Sequence, residues 1–199
     1  MRIDKELDNM LKKVEKPARY IGGEVNSIKK DPEKVSVRMG FAFPDTYEIG
    51  MSYMGLQILY NILNKNDDIY CERVFAPAMD MEELMRECGR ELFTLETFTP
   101  VKELDILGFT LQYELSYTNV LNMLQLGNIP LKSCDRGEEH PVIIAGGPCA
   151  YNPEPLADFI DFFSLGEGEE ITREIVQLYD RAKAEQWSKE AFLHEVSKI

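Results

Sequence analysis

The chain has 199 residues, 44% of them hydrophobic, with 35 acids against 22 bases and a net charge of −13. That length and apolar content suit one sizeable core and exclude a disordered chain. The charge repels phosphate backbones and argues against nucleic acid as a direct partner. No apolar run is long enough to span a bilayer, and the N-terminus lacks a hydrophobic signal core, so the expectation is a cytoplasmic protein without a membrane contact. Cys71, Cys88, Cys134 and Cys149 show no metal-knuckle spacing and read as reduced thiols.

Residues 1–16 carry an apolar stripe at Ile3, Leu7, Met10, Leu11 and Val14, which predicts an amphipathic docking helix ended by Pro17. Residues 18–34 read as extended, with a turn at Lys30–Glu33. Val35–Phe43 reads as the first main strand and is stopped by Pro44-Asp45. The helix after it places Met51, Met54, Gly55, Ile58, Leu59 and Ile62 on one face, the expected buried face. Ile69–Phe75 is the second strand. Asp80 and Glu83 have the spacing of a capping box and predict a helix start at Asp80, with Met81, Leu84, Met85 and Cys88 inward.

Phe93–Thr97 reads as a short edge strand and Asp105–Leu111 as the third main strand. Ser116 is the expected cap of a helix that buries Tyr117, Val120, Leu121 and Leu124. Two strands that stop at glycine follow: Pro141–Pro148, ending in Gly146-Gly147-Pro148, and Asp161–Glu170, containing Gly166-Glu167-Gly168. A long helix with Ile171, Ile175, Leu178 and Ala182 inward comes next, then a final helix over Ser188–Ile199. Strand and helix thus alternate about five times. The pattern predicts an α/β fold, a doubly wound parallel five-stranded sheet of flavodoxin-like order 2-1-3-4-5 with helices on both faces.

In such sheets ligands sit outside the carboxyl ends of the strands. Four exit loops on that edge carry donors, acceptors or glycines, and together they predict a binding edge. The candidate site residues are Pro44, Asp45, Thr46 and Tyr47 after the first strand and Gln112, Tyr113 and Ser116 after the third. Gly146, Gly147 and Pro148 follow the fourth, and Gly166, Glu167 and Gly168 the fifth. Gly147→Trp is expected to block the edge without removing core area. Glu167, Glu169 and Glu170 already occupy the positive end of the last long helix, which disfavours a phosphate and suits an amide, hydroxyl or ribose.

No GxGxxG, P-loop or GxSxG elbow is present. His140 lies before the fourth strand, on the opposite edge, and His194 lies on the terminal helix. General-base work at the binding edge would fall to Asp45, Glu48, Glu114 or Glu167, none with an evident partner. Nothing in the spacing assigns a catalytic residue or a metal ligand.

Several stretches carry a family resemblance: Ala42–Met51, Gly108–Asn119, Ile144–Pro148, Asn152–Ala157, Asp161, and Gly166-Glu167-Gly168-Glu169. In these the chain resembles the cobalamin-binding-like N-terminal domain of radical S-adenosylmethionine (radical SAM) proteins, in an uncharacterised subfamily, over roughly residues 18 to 185. The resemblance implies a cobalamin-binding-like domain at 35–185, preceded by a helix and extended segment (1–34) packed on it. A C-terminal helix at 186–199 would lead toward a radical SAM barrel, the intramolecular partner.

The resemblance also places an iron–sulfur cluster and S-adenosylmethionine in that barrel, since this chain has no CxxxCxxC triad. Methionine-synthase-like domains use DxHxxG, whose histidine ligates cobalt. Here Asp45 and Gly50 keep the spacing, but Tyr47 stands where histidine would. The resemblance therefore implies a corrinoid held without a histidine ligand, or a barrel-docking module that kept the fold and lost the ligand. A flavodoxin-like flavin domain is the weaker reading, because no phosphate loop follows the first strand.

Overall fold

The computed structural model describes residues 3–199. Its centre is a five-stranded sheet, all parallel, in the order β2-β1-β3-β4-β5. The strands are β1 (Val37–Phe43), β2 (Ile69–Phe75), β3 (Ile106–Thr110), β4 (Val142–Gly146) and β5 (Phe162–Phe163). The expected order holds, and the physical reason is legible in β1 and β3. Both are buried along nearly their whole length, which requires covering on two faces.

One face is covered by α1 (Lys5–Leu11), α4 (Met79–Cys88) and α5 (Tyr117–Leu126), whose Leu7, Met81, Met85, Val120 and Leu124 pack with Ala42, Leu107, Phe109 and Ile143. The other is covered by α3 (Met54–Asn64), α6 (Gly168–Ala184) and α7 (Lys189–Val196), whose Leu56, Tyr60, Ile175 and Phe192 pack with Met39, Phe41, Ile106 and Ile144. A short helix α2 (Tyr47–Ser52) precedes α3. The first helix is shorter than its stripe. Asp4 caps it, accepting from Leu7 N at 2.8 Å, and the first two residues of the expected span lie outside those described.

Several local expectations shift for physical reasons. The helix after β1 breaks at Tyr53, which is extended (φ −83°, ψ 111°), and the break turns α3 about its axis. Leu56, Tyr60 and Leu63 are buried instead, while Met54 and Ile58 face solvent. The helix after β2 begins at Met79, not Asp80. Asp80 has a tertiary job that outcompetes capping: its Oδ2 accepts from Glu15 N at 2.8 Å, which ties down the segment after α1. Ser116 takes the expected N-cap position of α5, but its side chain makes no capping bond and donates to Tyr113 O at 2.8 Å instead. Phe93–Thr97 forms only an isolated bridge between Phe93 and Pro100.

The loop at 93–100 covers the free edge of β2. Leu95 N donates to Arg73 O at 2.8 Å. The Glu96 carboxylate accepts from Arg73 N at 2.7 Å and from Arg73 Nε at 2.6 Å. Backbone groups that would otherwise template another strand are thereby satisfied. The Arg73 guanidinium also meets Glu24 at 2.8 Å and lies over the Tyr60 ring at 4.9 Å. On the other face of β2, fully buried Glu72 takes Arg38 at 2.5 Å and Thr94 at 2.8 Å. No helix is long and apolar enough to cross a membrane among the described residues.

Candidate functional site

The sheet register builds the site. On the α3/α6 face, Phe41, Gly108, Ile144 and Phe162 form one row across β1, β3, β4 and β5. Thr110 and Gly146 pair in the next row toward the carboxyl edge. Glycines at 108 and 146, on adjacent strands and the same face, lower the sheet surface beneath the gap between α3 and α6. A side chain at Gly108 would press on Met39 and Ile144, with its Cβ 2.7 Å from the Met39 methyl carbon.

The result is a cavity of about 480 Å³ that opens at the carboxyl edge. Met39, Phe41, Gly108 and Ile144 floor it. Tyr53, Gly55 and Leu59 wall it on one side, and Gly168, Thr172 and Ile175 on the other. Gln112, Tyr151, Ser164 and Glu167 stand among the lining residues. An apolar interior with a few polar groups is the usual makeup of a small-molecule site.

The thirteen candidate residues divide. Gln112, Gly146, Gly147, Pro148, Gly166, Glu167 and Gly168 line the cavity; Pro44, Asp45, Thr46, Tyr47, Tyr113 and Ser116 do not. Gly147 has φ +101°, and its N–H and carbonyl neighbours are drawn against Leu111: the Leu111 N–H donates to Gly146 O at 2.7 Å, and Cys149 N donates to Leu111 O at 3.1 Å. A Cβ on Gly147 would lie 2.9 Å from Leu111 O, so a tryptophan there would distort the strand exits as well as block the edge. Gly146 is the cleaner position. Its Cβ would meet nothing closer than Ser164 O at 3.5 Å, and it lies on the cavity face. Gln112 Nε2 donates to Thr110 Oγ1 at 2.6 Å.

The loop after β1 forms a rim beside the cavity. Asp45 Oδ1 accepts from Thr46 N at 2.7 Å, and its Oδ2 from the Tyr113 hydroxyl at 2.6 Å, which latches the β1 and β3 exits together. That bond raises the Tyr113 pKa. Asn119 donates to Pro44 O at 2.9 Å. Ser116 is buried within its own turn.

Tyr47 turns away from the cavity. Its ring packs edge-on against Phe75 at 5.5 Å, and its hydroxyl donates to Glu24 Oε1 at 2.7 Å. Burial, then the Glu24 carboxylate, push its pKa up to about 12. The tyrosine at the position of the cobalt-ligating histidine is thus a structural tie to the N-terminal segment, not a cavity group.

The carboxylates do not assemble into an acid–base pair. Asp45 is held by Tyr113. Glu48 meets Arg19 at 2.9 Å, which lowers its pKa. Glu167 begins α6. Cys149 lies beside Tyr117, and burial pushes its thiol pKa up. Among the described residues no group of three histidine, cysteine or acidic side chains is placed to hold a metal ion.

Sequence reasoning missed the floor and walls. Gly108 carries a readable signal, a glycine inside an otherwise apolar strand, which marks close approach or a recess. Met39, Phe41, Leu59 and Ile175 carry none, because an apolar residue lining a cavity looks like any core residue.

Fold and cavity together define a doubly wound α/β domain with a recess at the carboxyl ends of its strands, the class that binds small molecules at that edge. The chain belongs to the family described as radical SAM proteins, N-terminal, which matches residues 55–199. It is similar to an uncharacterized protein, MJ0966, of Methanocaldococcus jannaschii, with 26% identity over 137 residues, 68% of this chain and 25% of that protein. The chain therefore spans about a quarter of the length of this relative. No solved structure matches it.

Proposed function

We propose that residues 35–185 form a ligand-holding domain of a radical SAM protein and that the cavity between α3 and α6 receives part of a corrinoid. The observation that carries this reading is the pair of glycines, Gly108 and Gly146, that recess the sheet face under an apolar cavity open at the carboxyl edge. The residues fit such a group. The floor of Met39, Phe41 and Ile144 suits a flat apolar ring, and Gln112, Ser164 and Thr172 supply hydrogen bonds among the lining groups.

Among the described residues no lysine or arginine lines the cavity, and Glu167 and Glu169 do, so this reading puts the amide-bearing ring rather than a tail phosphate there. Tyr47 is committed to Glu24 and neither His140 nor His194 lines the cavity, so in this reading cobalt would take no histidine from this chain. A bound corrinoid supplies a cobalt centre able to carry a methyl group. The chain's own part is to hold and orient it at the edge and exclude water from the apolar floor. The iron–sulfur cluster and S-adenosylmethionine belong, in this reading, to a barrel outside the chain.

Anaerobic titration with hydroxocobalamin and methylcobalamin, followed by visible absorbance after desalting, tests the reading. Near-stoichiometric retention is expected, and Gly146→Leu is expected to abolish it while leaving the fold intact. Retention unchanged in that variant, or no retention by either the chain or the longer protein, overturns it. The second outcome would leave a docking module, a role favoured by the exposed apolar side chains around the cavity mouth.

A further inference from the structure

A second cavity, of about 200 Å³, lies at the opposite edge of the sheet, beside the turn that joins α6 to α7. Val142, the first residue of β4, and Phe192 of α7 line it, together with Tyr179, Trp187, His140 and Lys189. The Tyr179 ring meets Phe192 edge-on at 5.1 Å. Gln186 in the turn has φ +56°, uncommon for a residue with a Cβ, and Trp187 N donates to Ala182 O at 2.9 Å. The volume is below the roughly 300–1,000 Å³ of sites for drug-sized ligands, so it suits one small ring system.

Lys189 is the feature that packing does not explain. Its Nζ is shut off from solvent and makes no aligned hydrogen bond among the described residues. It lies 3.2 Å from Asp161 Oδ2. That carboxylate already takes Arg136 at 2.9 Å and Ile143 N at 2.7 Å. An ammonium carries three donors, and burying them unmet is costly. An acceptor placed in the cavity would meet them.

The surrounding ions set the charge of that acceptor. Lys183 pairs with Asp105 at 2.6 Å, and Arg136 pairs with Asp161. Two lining ions then lack a side-chain partner of their own. One is the Lys189 cation; the other is the Glu138 carboxylate, which accepts from Lys189 N at 2.9 and 3.0 Å. A cavity with one of each favours a neutral guest, with an acceptor for Lys189 and a donor for Glu138. Gly137 N donates to His140 Nδ1 at 3.1 Å, which puts the proton of the neutral imidazole on Nε2, a further donor. Aromatic lining favours a flat guest.

We propose that this cavity binds a neutral, planar nitrogen heteroaromatic ring that carries both an N–H donor and a ring-nitrogen acceptor, the acceptor meeting Lys189 and the donor Glu138. The site is separate from the cavity at the carboxyl edge, and its occupancy does not depend on the corrinoid reading.

Trp187 is the single tryptophan of the chain, so its indole N–H gives one resonance in the isotope-labelled protein and reports on this cavity. Benzimidazole, titrated above neutral pH where it is uncharged, is expected to shift that resonance saturably. Indole has the same shape without the ring-nitrogen acceptor. It is expected to bind about tenfold more weakly, because it leaves Lys189 unmet. Lys189→Met is expected to bring benzimidazole down to the affinity of indole, with the amide resonances of β1 and β3 unchanged as the control for folding.

Equal affinities for the two probes in the native chain overturn the proposal whatever the variant does. So does tighter binding of benzoate, which would make this an anion site. Shifts confined to Gly146 and Gly168 would put the probe in the carboxyl-edge cavity and overturn it as well, as would the lack of a saturable shift with any probe.

Discussion

Gly147 shows how one backbone conformation fixes the cavity mouth. Its φ of +101° and ψ of −178° lie in a region that residues with a Cβ avoid. The resulting turn lets β4's exit approach Leu111, so the β3 and β4 loops share hydrogen bonds. Gly147→Ala is expected to lose about 1–3 kcal/mol of stability in urea unfolding, whereas Gly146→Leu, whose Cβ makes only ordinary contacts with Ser164, is expected to lose little. Glu96 makes a second single-residue case. Burial pushes its pKa from an ordinary 4.5 up to about 7, against the pull of Arg73. Between those values the folded chain binds a proton that the unfolded chain does not, so this group lowers stability as pH rises from about 4.5 to about 7, with no further change above. Asp4, Glu24 and Glu48 are held low, so their stabilising contributions disappear at more acid pH, outside that window. Urea midpoints at pH 5 and pH 7.5 should therefore differ in the native chain, and the Glu96→Gln variant should remove this part of the slope. A slope equal in both proteins would assign the effect elsewhere.

At the scale of elements, the shortest strand depends on a side chain. β5 has only Phe162 and Phe163. Its entry is fixed by Asp161, whose N–H donates to Ile143 O at 2.8 Å and whose carboxylate accepts from Ile143 N at 2.7 Å. The same carboxylate meets Arg136 at 2.9 Å, and both side chains are buried. Arg136 also donates to the carbonyls of Pro130, Leu131 and Phe159, which knits the two connections around β4. Asp161→Ala leaves that guanidinium buried without its counter-charge. The expected cost is about 3–5 kcal/mol, read by calorimetry, with loss of amide protection concentrated in β5 and the loop before β4. Uniform loss across the whole sheet would show that β5 is not separable from the rest.

For the whole molecule, charge and recess have opposite reach. The cavity is local, built by two glycines and the gap between α3 and α6. The net charge of −13 is spread over the surface: the strand-exit loops at the carboxyl edge carry no lysine or arginine, and the cations that meet Glu48 there, Lys16 and Arg19, come from the N-terminal segment. A ligand in the cavity stabilises the folded chain by mass action. Hydroxocobalamin at a hundredfold excess over its Kd is expected to add about 2.7 kcal/mol, seen as a raised unfolding midpoint that Gly146→Leu does not share. An equal rise in both proteins would place the corrinoid somewhere other than this cavity.

The sequence by itself determined the class of fold and the strand order. Those follow from local chemistry: apolar runs such as Ile106–Thr110 must be covered on both faces, and glycines at Gly146, Gly147 and Gly166 mark strand exits. Capping was less legible, because Asp80 found a partner across the fold at Glu15 N, and the Ser116 hydroxyl turned back to Tyr113 O within its own turn. The tertiary structure decided the rest. It turned α3 so that Tyr60 rather than Ile58 is buried, and drew Tyr47 out of the cavity to Glu24, a partner 23 residues away in sequence. It also set Gly108 beside Ile144 on the cavity floor. These are long-range pairings, decided by which of several chemically similar residues happen to meet, and the spacing of residues along a chain does not record them.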